Sequence, residues 1–233
     1  MLDGLATVRA VRHAGGQPRE ARFQAPRTRP PPKRPADDED ALRATRIGHT
    51  AVPTRAEIVC YQCGYAFVVQ GRVAKPLCPK CHEFLKTDDL VIASDWAEDV
   101  RTIGRITVKP EAVMHGARLS ARDIVLAGNA RECALLAFRR LELRPGAQLD
   151  WDRTEMRDLI VAGGLAVTPG RALNCRRLDL AGELDAAVAA SETVTIRAGG
   201  LFVGELRSPR LIVEEGGGLK ARVAAGGRAI SCQ

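Results

Sequence analysis

The sequence is poor in aromatic residues and in histidine. Phe, Trp and Tyr make up 4% of the 233 residues, and only four histidines occur. A β-sandwich depends on hairpin turns and on large side chains in its core, so this composition argues against one. Histidine is the commonest general base, and His115 has no Ser, Cys or Asp pattern near it that indicates catalysis.

Long apolar runs are also missing. No stretch approaches the roughly 20 apolar residues that a transmembrane helix needs, and no signal-peptide core is present. Four of the seven cysteines form two tight pairs. This usage fits a reducing compartment and a bound metal better than a disulfide framework. We therefore expect a cytoplasmic protein.

The dominant positive feature is a short pattern that returns seven times. Each copy opens with two apolar residues separated by one other residue. The openings are Ile106/Val108, Ile124/Leu126, Leu141/Leu143, Leu159/Val161, Leu178/Leu180, Val194/Ile196 and Leu211/Val213. They follow one another at nearly constant intervals, and a Gly or Pro turn usually comes after each. A short, nearly fixed period of this kind indicates a solenoid.

The alternation within each copy is typical of a strand, because neighbouring side chains on a strand point to opposite faces. A copy of about 17 residues can form three short strands and three corners, which is one coil of a parallel β-helix. The sequence therefore predicts an all-β fold, a compact parallel β-helix of about seven coils.

The two ends of such a β-helix favour self-assembly. Each coil pairs its backbone with its neighbours, so the two end coils carry unpaired groups and an apolar cross-section. Nothing after Val213 resembles a cap. The predicted joint consists of apolar residues of the end coils, with one residue a coil inward: Val100, Ile103, Ile106, Val108, Phe202, Leu211, Val213, Leu219 and Val223. A lysine at Asp158, on a middle coil, is expected to change little.

Segments such as TIGRITVKPEAVMHGARLSARDIVLAGNA and LRPGAQLDWDRTEMRDLIVAGGLAV resemble bactofilins, the bacterial cytoskeletal proteins built from a compact β-helix. The resemblance covers roughly residues 98–228 and rests on the repeat period and the general residue pattern, not on an invariant sequence motif. It implies a right-handed β-helix that assembles into non-polar filaments without nucleotide or metal. Two features depart from the family: a cysteine module and a basic tail precede the repeat, and residues 178–194 carry DAAVAASE in place of a glycine turn.

The cysteine module predicts a metal site. Cys60 and Cys63 form one Cys-x-x-Cys pair, and Cys78 and Cys81 form a second one after the short segment 64–77. Four thiolates on two such turns suit tetrahedral Zn²⁺ and leave no open position for a catalytic water. The module resembles a zinc ribbon with one structural zinc per chain, and such modules also dock protein partners. Rubredoxin-type iron is the alternative, although rubredoxins keep a longer and more aromatic intervening segment.

The N-terminal tail carries much of the positive charge. Residues 18–35 contain six prolines and six Lys/Arg against one Glu, and an acidic run follows at residues 37–40. Such composition is typical of a stiff, disordered linker. Its partner is predicted to be an anionic surface, either a membrane or nucleic acid, and a plain solubilising spacer is the alternative.

Together these features predict a tail at residues 1–54, a zinc ribbon at 55–94 and a β-helix at 95–233. The predicted function is a non-enzymatic scaffold whose coils stack end to end into nucleotide-independent filaments. One alternative is a zinc-ribbon nucleic-acid binder that its solenoid oligomerises. Another is a left-handed β-helix acyltransferase, but Arg118 and Glu142 interrupt the apolar hexapeptide period that this fold requires. Asp150 and Asp152 could form a carboxylate pair, but no insertion builds a cleft beside them.

Overall fold

The computed structural model describes residues 44–47, 55–71, 73–225 and 228–231. The predictions for the basic tail and its acidic run therefore lie outside the described residues. In the described part the fold is all-β. None of its segments is a helix with the length and hydropathy that a membrane span requires.

Strands occupy most of the described chain. Three of them precede the solenoid: β1 Ala44–Ile47, β2 Arg55–Val59 and β3 Ala66–Gln70. The solenoid is built from β4 Asp89–Ile92, β5 Val100–Arg101, β6 Arg105–Val108, β7 Arg118–Leu126, β8 Asn129–Ala130, β9 Ala134–Leu143, β10 Gln148–Leu149, β11 Thr154–Val161, β12 Ala166–Val167, β13 Leu173–Leu180, β14 Glu183–Ile196, β15 Leu201–Ser208, β16 Arg210–Val213 and β17 Gly218–Ala225. A last strand, β18 Arg228–Ser231, follows it.

These strands confirm the predicted parallel β-solenoid. The repeated apolar pairs stack in parallel register as eight rungs of one face, at residues 90–92, 106–108, 124–126, 141–143, 159–161, 178–180, 194–196 and 211–213. Two further faces complete each turn, one with rungs such as residues 118–121 and 134–137 and one with shorter rungs such as 129–130 and 148–149. The solenoid has about eight turns, one more than the repeat count predicts. The handedness of the coil stays a prediction.

The additional turn lies at the N-terminal end. Strand β4 pairs in parallel with β6, so Leu90 lies beside Ile106 and Ile92 lies beside Val108. The first turn, residues 90–101, therefore belongs partly to the stretch that the sequence assigned to the zinc ribbon. The interval from its apolar pair to the next one matches the period of the other copies.

The interior is a stack of aliphatic side chains. Parallel register places residues of one type above one another, so Ile106, Ile124 and Leu141 form a continuous column that solvent does not reach. Burying one such side chain contributes about 1.5–3 kcal/mol. The repeat is therefore also the source of the stability of the solenoid.

The poorly patterned stretch folds as a single long strand. Strand β14 spans 14 residues and runs through two corners without a glycine turn. Ala186 in this strand lies beside Gly204 of the next turn. A Cβ atom on Gly204 would lie 2.4 Å from the carbonyl oxygen of Ala186, and Gly204 has φ of +116°. Small residues therefore let neighbouring turns approach at this corner.

Opposite charges alternate along one edge of the solenoid. The residue that precedes each apolar pair occupies the same position in successive turns, and its neighbours in register are Arg105, Asp123, Arg140, Asp158 and Arg177. We call these five residues the charged column. Rungs of a sheet lie roughly 4.8 Å apart, so each carboxylate lies between two cations. The column favours the observed register over a slipped one.

The structure argues against the expectation that Asp158 tolerates a lysine, because this side chain is not on an exposed flank. Asp158 is only 8% exposed. Its carboxylate accepts hydrogen bonds from Nε and Nη2 of Arg176, at 3.1 and 3.2 Å, and from Nη2 of Arg177 at 3.1 Å. Asp123 has a similar environment, with Arg139 donating two hydrogen bonds of 2.8 and 2.7 Å. These carboxylates are buried anchors, not exposed flank residues.

Candidate metal centre and open end of the solenoid

The four predicted ligands lie together beside the first turn. The first cysteine pair lies in the turn that joins β2 to β3, two strands of an antiparallel hairpin, and the second pair lies in a turn after β3. A small apolar cluster encloses the site and contains Ile58 and Leu85 from the module and Ile103 from the solenoid. The site therefore has its own core, and one residue of that core comes from the solenoid.

The two cysteine turns have the same backbone geometry. In the first, the N–H of Gly64 donates to the carbonyl of Cys60 at 2.9 Å, and the N–H of Cys60 donates to Tyr65. In the second, the N–H of His82 donates to the carbonyl of Cys78 at 2.9 Å, and the N–H of Cys78 donates to Glu83. Each turn thus directs its two thiols to the same side.

The sulfur atoms lie close enough together to bind a single metal ion. Sγ of Cys60 lies 3.6 Å from Sγ of Cys81, and Sγ of Cys63 lies 3.7 Å from Sγ of Cys78. All four lie within 4.8 Å of one another. A zinc ion with bonds of about 2.3 Å to four sulfurs separates those sulfurs by about 3.8 Å. The cluster can therefore hold a metal ion without rearrangement of the chain.

Burial and hydrogen bonding shift the pKa values of three of the four thiols. Burial raises the pKa of Cys60. Burial also tends to raise the pKa of Cys78. Its thiol, however, accepts hydrogen bonds from the N–H groups of Cys81 and Lys80 and interacts with neighbouring thiols, and these contacts lower its pKa to about 7. For Cys81 the N–H of Glu83 lowers the pKa, whereas burial and the other three thiols together raise it to about 12. The backbone hydrogen bonds to Cys78 therefore favour its thiolate form.

His82 is a turn residue next to Cys81 and is not part of the thiol cluster. It takes the place that Gly64 occupies in the first turn, and its φ is +57°. No other described residue apart from glycine has positive φ. A side chain in this left-handed region is disfavoured by roughly 1–2 kcal/mol. The metal site thus contains a local conformational strain that the sequence does not reveal.

We expect His82→Gly to strengthen metal binding about five-fold, because glycine adopts the left-handed conformation without strain worth about 1 kcal/mol. Gly64→Ala should weaken binding by a similar factor, since it introduces the same strain into the first turn. Competition with a chromogenic chelator measures both affinities. Weaker binding by His82→Gly would show that the imidazole itself contributes to the site.

The module is attached to the solenoid through a buried corner. Thr102 is inaccessible to solvent, and its hydroxyl donates to the carbonyls of Lys86 and Asp88, at 3.2 and 2.7 Å. The N–H of Ile103 also donates to Lys86 at 2.8 Å. Gly104 leaves no space for a side chain, since a Cβ atom there would lie 2.5 Å from the carbonyl of Asp88. The second cysteine pair is therefore held close to the first turn.

The N-terminal end of the solenoid is covered. Val100 and Ile103 are buried, and Ile106 and Val108 are 0% exposed because the first turn lies against them. Strand β1 pairs antiparallel with β4 on the outer side of that turn. The sequence-based placement of these four residues at a free end is therefore wrong: the additional turn and the cysteine module enclose them.

The C-terminal end is partly open. Strand β18 pairs antiparallel with β17 and lies against one face of the last turn, residues 211–225, where Val223 is buried. The rung at residues 211–213 remains accessible, with Ile212 38% and Val213 43% exposed. Leu211 and Leu219 are half-buried, and Phe202 is fully buried one turn inward. We call residues 211–213 the open end.

Other residues that the sequence singled out have structural roles. The Asp150 carboxylate accepts a hydrogen bond from the N–H of Asp152 at 2.9 Å, which stabilises a turn. Cys133 and Cys175 are buried, and burial raises the pKa of both thiols, to about 11 for Cys175. Both therefore act as small apolar residues of the core. Cys232 lies outside the described residues.

Comparisons with family models, with curated proteins and with solved structures give no match for this chain. The resemblance to bactofilins therefore stays a prediction.

Proposed function

We propose that this protein is a non-enzymatic scaffold that assembles through the open end of its solenoid into filaments that need no nucleotide. One observation carries the proposal: Ile212 and Val213 are exposed in a solenoid whose equivalent rungs are largely covered by the next turn. An exposed apolar strand edge is a template for pairing with another chain. A cytoplasmic location belongs to the same proposal.

We infer that the cysteine cluster holds one zinc ion per chain and that its role is structural. Four thiolates that lie close together favour zinc over harder cations such as magnesium. The ion supplies charge that stabilises the thiolates, while Ile58, Leu85 and Ile103 exclude water from one side of the site. The module also offers a surface for a protein partner. The basic tail is proposed to reach an anionic surface.

Purified protein should form filaments without nucleotide, as observed by negative-stain electron microscopy and sedimentation. In Val213→Lys, an unpaired charge at the centre of the joint should raise the concentration needed for assembly at least about 100-fold. The solenoid should keep its β-rich circular dichroism spectrum, because only an end rung changes.

Ala187→Lys is the matched control, since it adds the same charge at an exposed position away from both ends. It should assemble as the unmodified protein does. Filaments of normal length from Val213→Lys would place the joint elsewhere. A salt-dependent gel shift at assembly-free concentrations would instead favour the nucleic-acid-binding alternative.

A further inference from the structure

The large apolar side chains that remain exposed fall at two places on the described chain. Four lie on the cysteine module and two on the last turn: Tyr65, Val68, Leu77, Phe84, Ile212 and Val213. Single exposed apolar residues are ordinary, but grouped ones mark interaction surfaces. The two groups lie far apart along the fold, because the module packs on the first turn through Ile103 and the second group is in the eighth turn.

Two of the exposed apolar residues of the module, Leu77 and Phe84, flank the second cysteine pair in sequence. Leu77 and Phe84 are 45% and 64% exposed, and they oppose each other in an antiparallel bridge. Residues that oppose each other in this way project from the same side of the sheet. Lys75 and Lys86 lie two residues from this pair in sequence, and both are exposed. We call these four residues the module patch.

The open end has two glutamates on its C-terminal side and the exposed Arg210 on its N-terminal side. Ile212 and Val213 are followed directly by Glu214 and Glu215. Glu214 accepts a hydrogen bond from Nη1 of Arg197 at 2.6 Å, whereas within the described part of the chain Glu215 has no ion-pair partner. Both lysines of the module patch are likewise exposed and unpaired in that part of the chain. Glu215 of one chain and these lysines of another can therefore pair across a joint between the two surfaces, which orients the chains as they meet.

A joint between the two open ends of two chains would be isologous and would stop at a dimer, because the N-terminal end is covered. A joint between two different surfaces at the two ends of the molecule is heterologous, and each added chain presents a new open end. Only the second arrangement extends the assembly beyond two chains.

We propose that the module patch of one chain binds the open end of the next, which makes the filament polar and its growth dependent on the folded metal module. This inference rests on the proposed self-assembly and identifies its second surface. It differs from what the resemblance to bactofilins implies, because non-polar filaments need two isologous joints.

The test is a complementation experiment with two full-length, zinc-loaded variants, Phe84→Lys and Val213→Lys. Each removes one surface and leaves the other intact. Alone, each should stay monomeric in sedimentation velocity at concentrations about 100-fold above those at which the unmodified chain assembles. Mixed in equal amounts they should form a 1:1 dimer, because the intact module patch of Val213→Lys can bind the intact open end of Phe84→Lys. Val68→Lys is the matched control on the module and should assemble normally.

The outcomes separate the two proposals. A Phe84→Lys chain that forms filaments, or that dimerises by itself while Val213→Lys does not, would overturn the heterologous joint. If the unmodified chain never assembles, the proposed self-assembly fails instead. Metal content and circular dichroism establish that each variant is folded. If Phe84→Lys loses zinc, Leu77→Lys replaces it at the opposing position, with the same expected results.

Discussion

Lysine in place of Asp158 is expected to lower the free energy of unfolding by about 3–5 kcal/mol, since removing one member of a buried ion pair has an effect of that size. The carboxylate of Asp158 is bound by Arg176 and Arg177 and is largely inaccessible to water. A folded domain is stable by only about 5–15 kcal/mol, so this single change removes a large part of the total.

Charge reversal acts in two ways here. It leaves two arginines without their common acceptor, and it places a third cation between Arg140 and Arg177 in the charged column. Side chains on neighbouring rungs are close enough for like charges to repel. Both effects act on the middle turns, so these turns should unfold before the ends of the solenoid do.

Urea denaturation followed by circular dichroism measures this effect. Glu155→Lys is the matched control, because Glu155 lies on the same strand, is exposed and has no ion-pair partner within the described chain. It should change stability by less than about 0.5 kcal/mol. Equal midpoints for the two variants would show that the ion pairs of Asp158 contribute nothing to the fold.

Serine in place of Cys63 is expected to abolish metal binding and unfold the cysteine module. Structural zinc sites of this type contribute about 10–16 kcal/mol of binding energy, which the small apolar cluster around Ile58 and Leu85 cannot replace. Residues 55–88 should become sensitive to protease, and zinc should fall below one equivalent by elemental analysis.

The solenoid should survive this change with a weakened first turn. Ile103 loses its apolar cover, and Thr102 loses the carbonyl acceptors of Lys86 and Asp88. The later turns are held by their own rungs, so most of the β-sheet signal should remain. If the module patch is an assembly surface, the same variant should also fail to form filaments.

Cys133→Ser is the matched control. Cys133 is buried in the solenoid and is not part of the thiol cluster, so this variant should keep one zinc per chain with a small loss of stability. Iron in the unmodified protein would contradict the assignment of zinc. Full metal content in Cys63→Ser would show that three cysteines and another ligand suffice.

The sequence was sufficient to predict the parts of this protein that depend on local spacing. The nearly constant interval between apolar pairs determines how much chain one turn can hold, and a repeated turn has few ways to stack. Two Cys-x-x-Cys pairs likewise place four thiols on tight turns wherever those turns lie. Both features follow from residues that are near one another in the chain.

The charged column was also present in the sequence and was missed. The residue before each apolar pair alternates between arginine and aspartate over five consecutive copies, from Arg105 to Arg177. Reading the copies against one another at that position would have identified Asp158 as an ion-paired residue. The position of Asp158 on a middle coil suggested an exposed side chain. The periodicity of one strand does not show which side chains lie on the neighbouring rung, so its arginine partners were not apparent.

The ends of the solenoid were decided by tertiary structure alone. Burial at an end depends on chain that folds back from elsewhere, as β1 pairs with β4 and as the module packs around Ile103. Ile106 and Val213 both belong to an apolar pair of the same repeat, so no local pattern distinguishes them. A further turn covers Ile106 completely, whereas Val213 stays 43% exposed. The period thus determines the turn, while long-range packing determines which of the equivalent rungs is free to meet another chain.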